Sequence, residues 1–158
     1  MLPIPGLKES KYILDSTQAM DEKKIPKNLT IIGAGYIGLE FASMFAKYGS
    51  KVTVLDHNKE FLVREDEDIS NAVRKDMEDA GIKFELGADI EKITDEKTDA
   101  KVTYQINGKT KAINADRILV ATGRKPNTEN LGLENTAIET TDRGAIKVDD
   151  FLRTTVDN

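Results

Sequence analysis

Three glycines, Gly33, Gly35 and Gly38, stand between a short β-branched run and a helical pattern, with the spacing G-x-G-x-x-G. The preceding run, residues 29–33, is typical of a strand buried on both faces. From Ile37 onward apolar residues recur with the period of an α-helix. A tight turn from a buried strand straight into a helix is typical of parallel α/β proteins. This feature limits the fold more than any other in the chain.

The next predicted strand, residues 51–56, ends in Asp56. An acid in this position completes the pattern of a dinucleotide-binding turn. In that pattern Gly33 permits the turn, Gly35 lets backbone approach a pyrophosphate, and Gly38 allows close packing of helix on strand. The helix N-terminus binds the pyrophosphate, while the acid accepts hydrogen bonds from the adenosine ribose. A glycine-rich connection that binds no nucleotide is the alternative reading.

The identity of the cofactor depends on Asp56. A carboxylate there repels a 2′-phosphate, and the nearest cations are Lys59 and the more distant Arg64. The sequence therefore predicts NAD rather than NADP. His57 follows the acid in a polar run, which is typical of a solvated loop residue.

Further elements follow in alternation, and the predicted fold is a Rossmann-like parallel sheet with an antiparallel β-meander insert. The first 28 residues hold three prolines and at most one short helix, capped by Ser16 or Thr17. Acids begin a second helix at 67–80. Strand patterns occupy 83–86, 89–94, 101–106 and 109–113, which we assign to the meander, and 117–121, which returns to the parallel sheet. Asn107-Gly108 predicts a two-residue hairpin. From Pro126 the chain is rich in loops, and residues 145–148 alternate like a strand.

Composition excludes several kinds of chemistry. The 158 residues include no cysteine and one histidine, so we predict no thiol redox centre and no metal site, and we assign no catalytic residue in this chain. With 23 basic and 28 acidic residues the net charge is −5, which predicts no nucleic-acid partner. No apolar run is long enough for a membrane span, and the N-terminus lacks a secretory pattern, so we expect a cytoplasmic location.

Three segments resemble a known family: Ile31 to Glu40, Val52 to Asp56, and Ala121 to Thr128. Together they are similar to the pyridine nucleotide-disulfide oxidoreductases, flavoproteins that include dihydrolipoamide dehydrogenase, glutathione reductase and mercuric reductase. The resemblance implies that the chain is the NAD(H)-binding part of a longer, homodimeric enzyme whose FAD lies elsewhere. Residues 1–25 and 126–158 would then be short tails of the FAD domain around an NAD(H)-binding domain at 26–125. On this reading the isolated chain is catalytically incomplete.

The resemblance also implies roles for particular residues. It places Gly33 to Glu40 along the pyrophosphate and nicotinamide, and Ile90 against the adenine. Tyr36 resembles a tyrosine that covers the nicotinamide pocket beside the flavin, and Glu40 an acid near the nicotinamide amide. The predicted cofactor-binding residues are Gly33, Ala34, Gly35, Tyr36, Ile37, Gly38, Glu40, Asp56, His57, Ile90 and Gly123.

Three functional readings share the glycine pattern. The first is a domain that presents NADH to a flavin in an oxidoreductase, with NADH and the FAD domain of the parent chain as its partners. The second is a non-enzymatic domain that senses NAD, which gives no reason for the meander. The third is a complete small dehydrogenase, although the chain has no Tyr-x-x-x-Lys pair to transfer protons.

Overall fold

A computed structural model describes residues 3–157 and shows an α/β fold around a parallel sheet. Five parallel strands lie in the order β1-β8-β2-β3-β4, and β5-β6-β7 form a separate antiparallel sheet. The predicted fold class is confirmed. The elements in chain order are β1 (Ile13–Leu14), α1 (Ser16–Asp21), β2 (Asn28–Ile32), α2 (Tyr36–Lys47), β3 (Lys51–Asp56), α3 (Glu67–Asp79), β4 (Lys83–Leu86), β5 (Asp89–Asp95), β6 (Ala100–Ile106), β7 (Lys109–Ala115) and β8 (Arg117–Val120).

The parallel sheet is covered on both faces, which explains why its central strands are continuously apolar. Side chains alternate between the faces along β2, so Leu29 and Ile31 pack in a cluster with the apolar residues of α2. Ile32 packs on the other face, in a second cluster that includes Val102 and Tyr104 of the antiparallel sheet. The sheet is therefore the middle layer between helices and the meander.

The antiparallel sheet contains three strands rather than the predicted four. Ile106 pairs with Lys109 across Asn107 and Gly108, whose φ values of 51° and 73° are both positive, so the predicted two-residue hairpin is confirmed. The assignment of residues 83–86 to the meander is wrong, because β4 pairs in parallel with β3. A short apolar alternation predicts a strand but does not identify the strand beside it.

The first 28 residues contain the expected short helix and one element that the pattern did not indicate. The helix α1 is capped by Asp15 rather than by the predicted Ser16 or Thr17. The Asp15 carboxylate accepts from the Gln18 amide at 2.7 Å, and the Gln18 side chain accepts from the Asp15 amide at 2.9 Å. The two-residue strand β1 pairs with β8, and its length is below what periodicity detects.

The described chain divides into two compact units, Met1–Thr122 and Gly123–Asn158. The second unit has few regular elements: a 3₁₀ turn at Leu133–Asn135 and an isolated antiparallel bridge between Thr140 and Ile146. That bridge is the only pairing formed near the alternating stretch at 145–148 within residues 3–157. Within the same range, no helix is long and apolar enough to cross a membrane.

Close packing between α2 and the end of β2 depends on Gly38. A Cβ atom built on Gly38 would lie 2.0 Å from the backbone oxygen of Gly33 and 3.4 Å from a methyl of Ile31. The first contact is with backbone, which cannot rotate away as a flexible side chain can. The absence of a side chain at Gly38 therefore sets the distance between helix and strand.

We expect Gly38→Ala to lower the free energy of unfolding by about 1–3 kcal/mol, because the added methyl overpacks the helix–strand contact. Denaturant unfolding followed by circular dichroism measures the loss. Gly35→Ala is the matched control, since Gly35 has a φ of −77° and no atom within 4 Å of an added Cβ. Equal stability of the two variants would contradict the packing role of Gly38.

Candidate functional site

The glycine turn joins β2 to α2 at the carboxyl edge of the parallel sheet. Gly33 has a φ of +109°, a conformation that side chains rarely adopt, and a Cβ there would lie 2.6 Å from the backbone oxygen of Ala121. Its amide donates to the carbonyl of Leu55 at 2.8 Å, at the end of β3. Only glycine fits this turn, because both the backbone conformation and the space around it exclude a side chain.

Gly35 is the N-cap of α2 and leaves the helix end open. No side chain caps this helix, and an added Cβ at Gly35 would meet no atom within 4 Å. The first amides of a helix have no partner within the helix and carry a partial positive charge. A diphosphate is the kind of group that such an end binds. The open space at Gly35 is therefore available to a ligand.

Asp56 holds the end of β3 against the glycine turn. One oxygen of its half-buried carboxylate accepts a hydrogen bond from the Ala34 amide at 2.6 Å, and the other accepts from the Asn58 amide at 2.7 Å. Each carboxylate oxygen has a further lone pair for a ligand hydroxyl. The two amides thus fix the carboxylate beside the turn, in an orientation that leaves acceptor capacity.

The loop after Asp56 is tied to the turn between β4 and β5. The Ala88 amide donates to the Asp56 carbonyl at 2.8 Å, and the Gly87 amide donates to the Asn58 carbonyl at the same distance. His57 extends into solvent, and its Nδ1 lies 2.5 Å from a carboxylate oxygen of Asp89, the first residue of β5. His57 is a solvated loop residue as its polar run indicates, and it lies next to Asp56.

Ile90 follows Asp89 in β5 and is half-buried. It pairs with Tyr104 of β6 and packs against the apolar cluster of the antiparallel sheet. A bulge between Ile90 and Lys92 interrupts the register at this point. Ile90 thus follows the residue that contacts His57, and part of its side chain packs in the core.

Tyr36, the first residue of α2, reaches across to the loop that follows β3. Its phenol donates a hydrogen bond to the Glu65 carboxylate, although 59% of the tyrosine is exposed. This hydrogen bond and the negative charge of Glu65 raise the pKa of the Tyr36 phenol above its ordinary value, since both disfavour the phenolate. Glu65 therefore fixes the direction of an aromatic ring that starts at the mouth of the glycine turn.

Ile37 and Glu40 lie on the side of α2 that faces α1. They border an open groove of about 510 Å³, whose walls combine carboxylates with apolar side chains. Glu40 is exposed and Ile37 is half-buried. These two residues are one helical turn apart and share the face of α2 that lines this groove. The groove is lined by Ser16, Thr17, Met20 and Asp21 of α1 and by Ile37, Glu40 and Phe41 of α2.

Gly123 begins the second unit and has a φ of +151°, which favours glycine. Within its own unit it is exposed, with no atom within 4 Å of an added Cβ. The glycine turn after β2 lies against Ala121 and Thr122, the two residues that precede Gly123, since a Cβ on Gly33 would also lie 3.2 Å from the Cα of Thr122.

Sequence reasoning missed Asn58, Glu65 and Asp89, which contact predicted site residues, and Gly87, which bonds Asn58. Asn58 and Glu65 belong to the polar loop after β3, where composition gives no period to read. Gly87 and Asp89 lie where β4 ends and β5 begins, two helices and two strands after the glycine turn. Only the pairing of β4 with β3 brings that segment to Asp56.

Comparison with known proteins identifies the family. Residues 1–158 match the family described as pyridine nucleotide-disulphide oxidoreductase, and the chain belongs to it. The dihydrolipoyl dehydrogenase of Geobacillus stearothermophilus is 41% identical over 158 residues, which cover 99% of this chain and 33% of that protein. Members of the family are flavoprotein oxidoreductases that use NAD(P)H.

Two solved structures show the same fold. The HOCl-induced flavoprotein disulfide reductase RclA from Escherichia coli matches with a TM-score of 0.91 and 40% identity, over 100% of this chain and 35% of that chain. The water-forming NADH oxidase from Lactobacillus brevis bound to NADH matches with a TM-score of 0.79 and 28% identity, over 98% and 34%. This chain therefore spans about a third of the length of its relatives.

We expect Glu65→Gln to lower the pKa of the Tyr36 phenol, because the amide removes the negative charge that opposes phenolate formation. Alkaline titration of the tyrosinate absorbance measures the shift. Tyr36→Phe identifies the contribution of this residue among the four tyrosines. Glu60→Gln, a neutral variant of another exposed acid in the same loop, is the matched control. An identical titration in Glu65→Gln and the wild type would show that the two groups do not interact.

Proposed function

We propose that this chain is the NAD(H)-binding domain of a longer FAD-dependent oxidoreductase and presents NADH to the flavin. The observation that carries the proposal is the hydrogen bond from the Ala34 amide to Asp56 at 2.6 Å. It joins the two halves of the predicted site, which are the glycine turn and the carboxylate predicted to bind the ribose. Family membership supports the same conclusion, because the family uses pyridine nucleotides.

The pyrophosphate of the cofactor binds at the N-terminus of α2. Gly33 makes the turn, Gly35 leaves the helix end open, and Gly38 keeps the helix close to the strand. Ala34, Tyr36 and Ile37 complete this segment, and the helix dipole stabilises the negative charge of the diphosphate. No basic side chain is required, since the backbone amides supply the donors.

The adenosine binds on the β3 side of the turn. Asp56 accepts from ribose hydroxyls, with His57 on the solvent side and Ile90 against the adenine. The fixed orientation of the carboxylate supports this assignment, because both its oxygens are already held by backbone amides and need no rearrangement when the ribose enters.

Tyr36 and Glu40 lie at the border with the flavin, and we assign Gly123 to the nicotinamide end of the cofactor. When bound, NADH supplies the hydride and the flavin accepts it, so the protein's contribution is to hold the two rings in position. The FAD domain of the parent chain is then the principal partner. The assignment of residues 1–25 and 126–158 to that domain, the homodimeric parent and the cytoplasmic location all stay predictions.

We expect the chain to bind NADH more tightly than NADPH, because the Asp56 carboxylate bonds a free ribose hydroxyl and repels a phosphate. Isothermal titration calorimetry with both nucleotides measures the two dissociation constants. Asp56→Ala and the milder Asp56→Asn should each reduce the ratio of the NADPH to the NADH dissociation constant. The reduction should be about tenfold or less, which is the scale of one hydrogen bond to a charged group.

Asp116→Asn is the matched control for this experiment. Asp116 accepts a hydrogen bond from the Asn28 amide at 2.8 Å, so it also ties two strands together, but it precedes β8 rather than following β3. Its replacement should leave the ratio of the two dissociation constants unchanged. Equal or tighter binding of NADPH by the wild type would refute the assignment of NAD.

We expect Gly35→Val to abolish nucleotide binding while the fold is kept. The extended backbone of Gly35 accepts a β-branched residue, and the space around its Cβ position is free of protein atoms but is needed by the pyrophosphate. Binding should weaken in the order glycine, alanine, valine, and circular dichroism and thermal melting check that each variant is folded. A folded Gly35→Val protein with unchanged affinity would contradict a phosphate site at this turn.

A further inference from the structure

A contact between the His57 imidazole and the Asp89 carboxylate lies beside Asp56, and the arrangement described above gives Asp89 no role. The histidine Nδ1 lies 2.5 Å from the carboxylate, and the two side chains are 84% and 67% exposed. Exposed pairs of this kind contribute little to stability. A contact that bridges the end of β3 and the start of β5, next to Asp56, is instead in a position to affect a ligand.

The charged groups around His57 determine whether a 2′-phosphate can bind beside it. Asp56 precedes it, Lys59 and Glu60 follow it on the same loop, and Asp89 faces it from β5. Proteins that bind NADP place a cation beside the ribose, where this chain has an imidazole. A protonated imidazole without an acidic partner would offer that cation.

We propose that Asp89 is a specificity-determining residue, which neutralises His57 and so prevents the site from accepting a 2′-phosphate. The inference rests on the proposed NAD(H) site and deepens it. Asp89 acts in two ways: its carboxylate pairs with the imidazolium, and it adds a second negative charge to that of Asp56 at the ribose edge. NADH has no phosphate at that edge, so its binding is insensitive to Asp89.

The hydrogen bonds of the backbone give the pair a fixed geometry. The Ala88 amide bonds the Asp56 carbonyl, and the Gly87 amide bonds the Asn58 carbonyl, both at 2.8 Å. The backbone on either side of His57 is therefore joined to the two residues immediately before Asp89. Because these contacts do not involve the side chains of the pair, replacing Asp89 or His57 leaves the loop in place.

The test compares NADH and NADPH binding by the full chain carrying Asp89→Asn, in low salt and in mildly acidic buffer, because the proposal concerns the charged imidazole. We expect the NADPH dissociation constant to fall by about two- to fivefold, the scale of an exposed charge pair, while that for NADH stays unchanged. Added salt should reduce the gain. Asp89→Glu, which keeps the charge, should behave like the wild type.

Two further variants separate the effect of the pair from a general change of charge. Glu91→Gln removes the same charge two residues along β5, where Glu91 bonds Gln105 rather than His57, and should not alter the ratio of the two affinities. In a His57→Ala background, Asp89→Asn should give a smaller gain for NADPH than in the wild type. An equal gain in both backgrounds would show that Asp89 does not act through His57.

The outcomes also distinguish this inference from the proposed function. If the wild type binds neither nucleotide, the NAD(H) site itself is refuted. If it binds NADH and Asp89→Asn changes both affinities equally, or changes neither, the site stands and the role of Asp89 is overturned. Selective improvement for NADPH that Glu91→Gln does not reproduce supports the proposal.

Discussion

The hydrogen bond between the Asp56 carboxylate and the Ala34 amide holds the carboxyl ends of two neighbouring strands together. It is reinforced by the bond from the Gly33 amide to the Leu55 carbonyl, so that the turn after β2 is bound to the end of β3 at two points. This turn sets the direction in which α2 leaves the sheet, and so it also sets where the unpaired amides of the helix N-terminus point. The other contacts of the site lie around this turn.

The parts of this site that sequence predicts are those whose chemistry is local. Gly33 is required because its φ is positive, and Gly38 is required because a backbone atom lies close enough to exclude a methyl group. Both requirements appear in the spacing of the motif. The acid at the end of β3 is equally visible, because it ends an apolar run. These residues act within one strand–turn–helix–strand unit, so their order in the chain reflects their order in space.

The features of the site that the sequence did not predict depend on which strands become neighbours in the two sheets. Residues 83–86 have an ordinary strand pattern, and nothing in that pattern says that they add to the parallel sheet beside β3 instead of joining the meander. That choice carries Gly87 and Asp89 to the loop after Asp56. The hydrogen bond between Tyr36 and Glu65 is hidden for a similar reason, since it joins a helix start to an irregular loop with no periodicity.

The pairing of β1 with β8 has a consequence for one edge of the parallel sheet. The first and last strands of the unit lie side by side at one edge of the sheet, with Ile13 opposite Ile118 and Leu14 opposite Leu119. The run of strands in this unit therefore begins and ends at one edge of the sheet, so that two segments separated by nearly the whole unit in sequence support each other there.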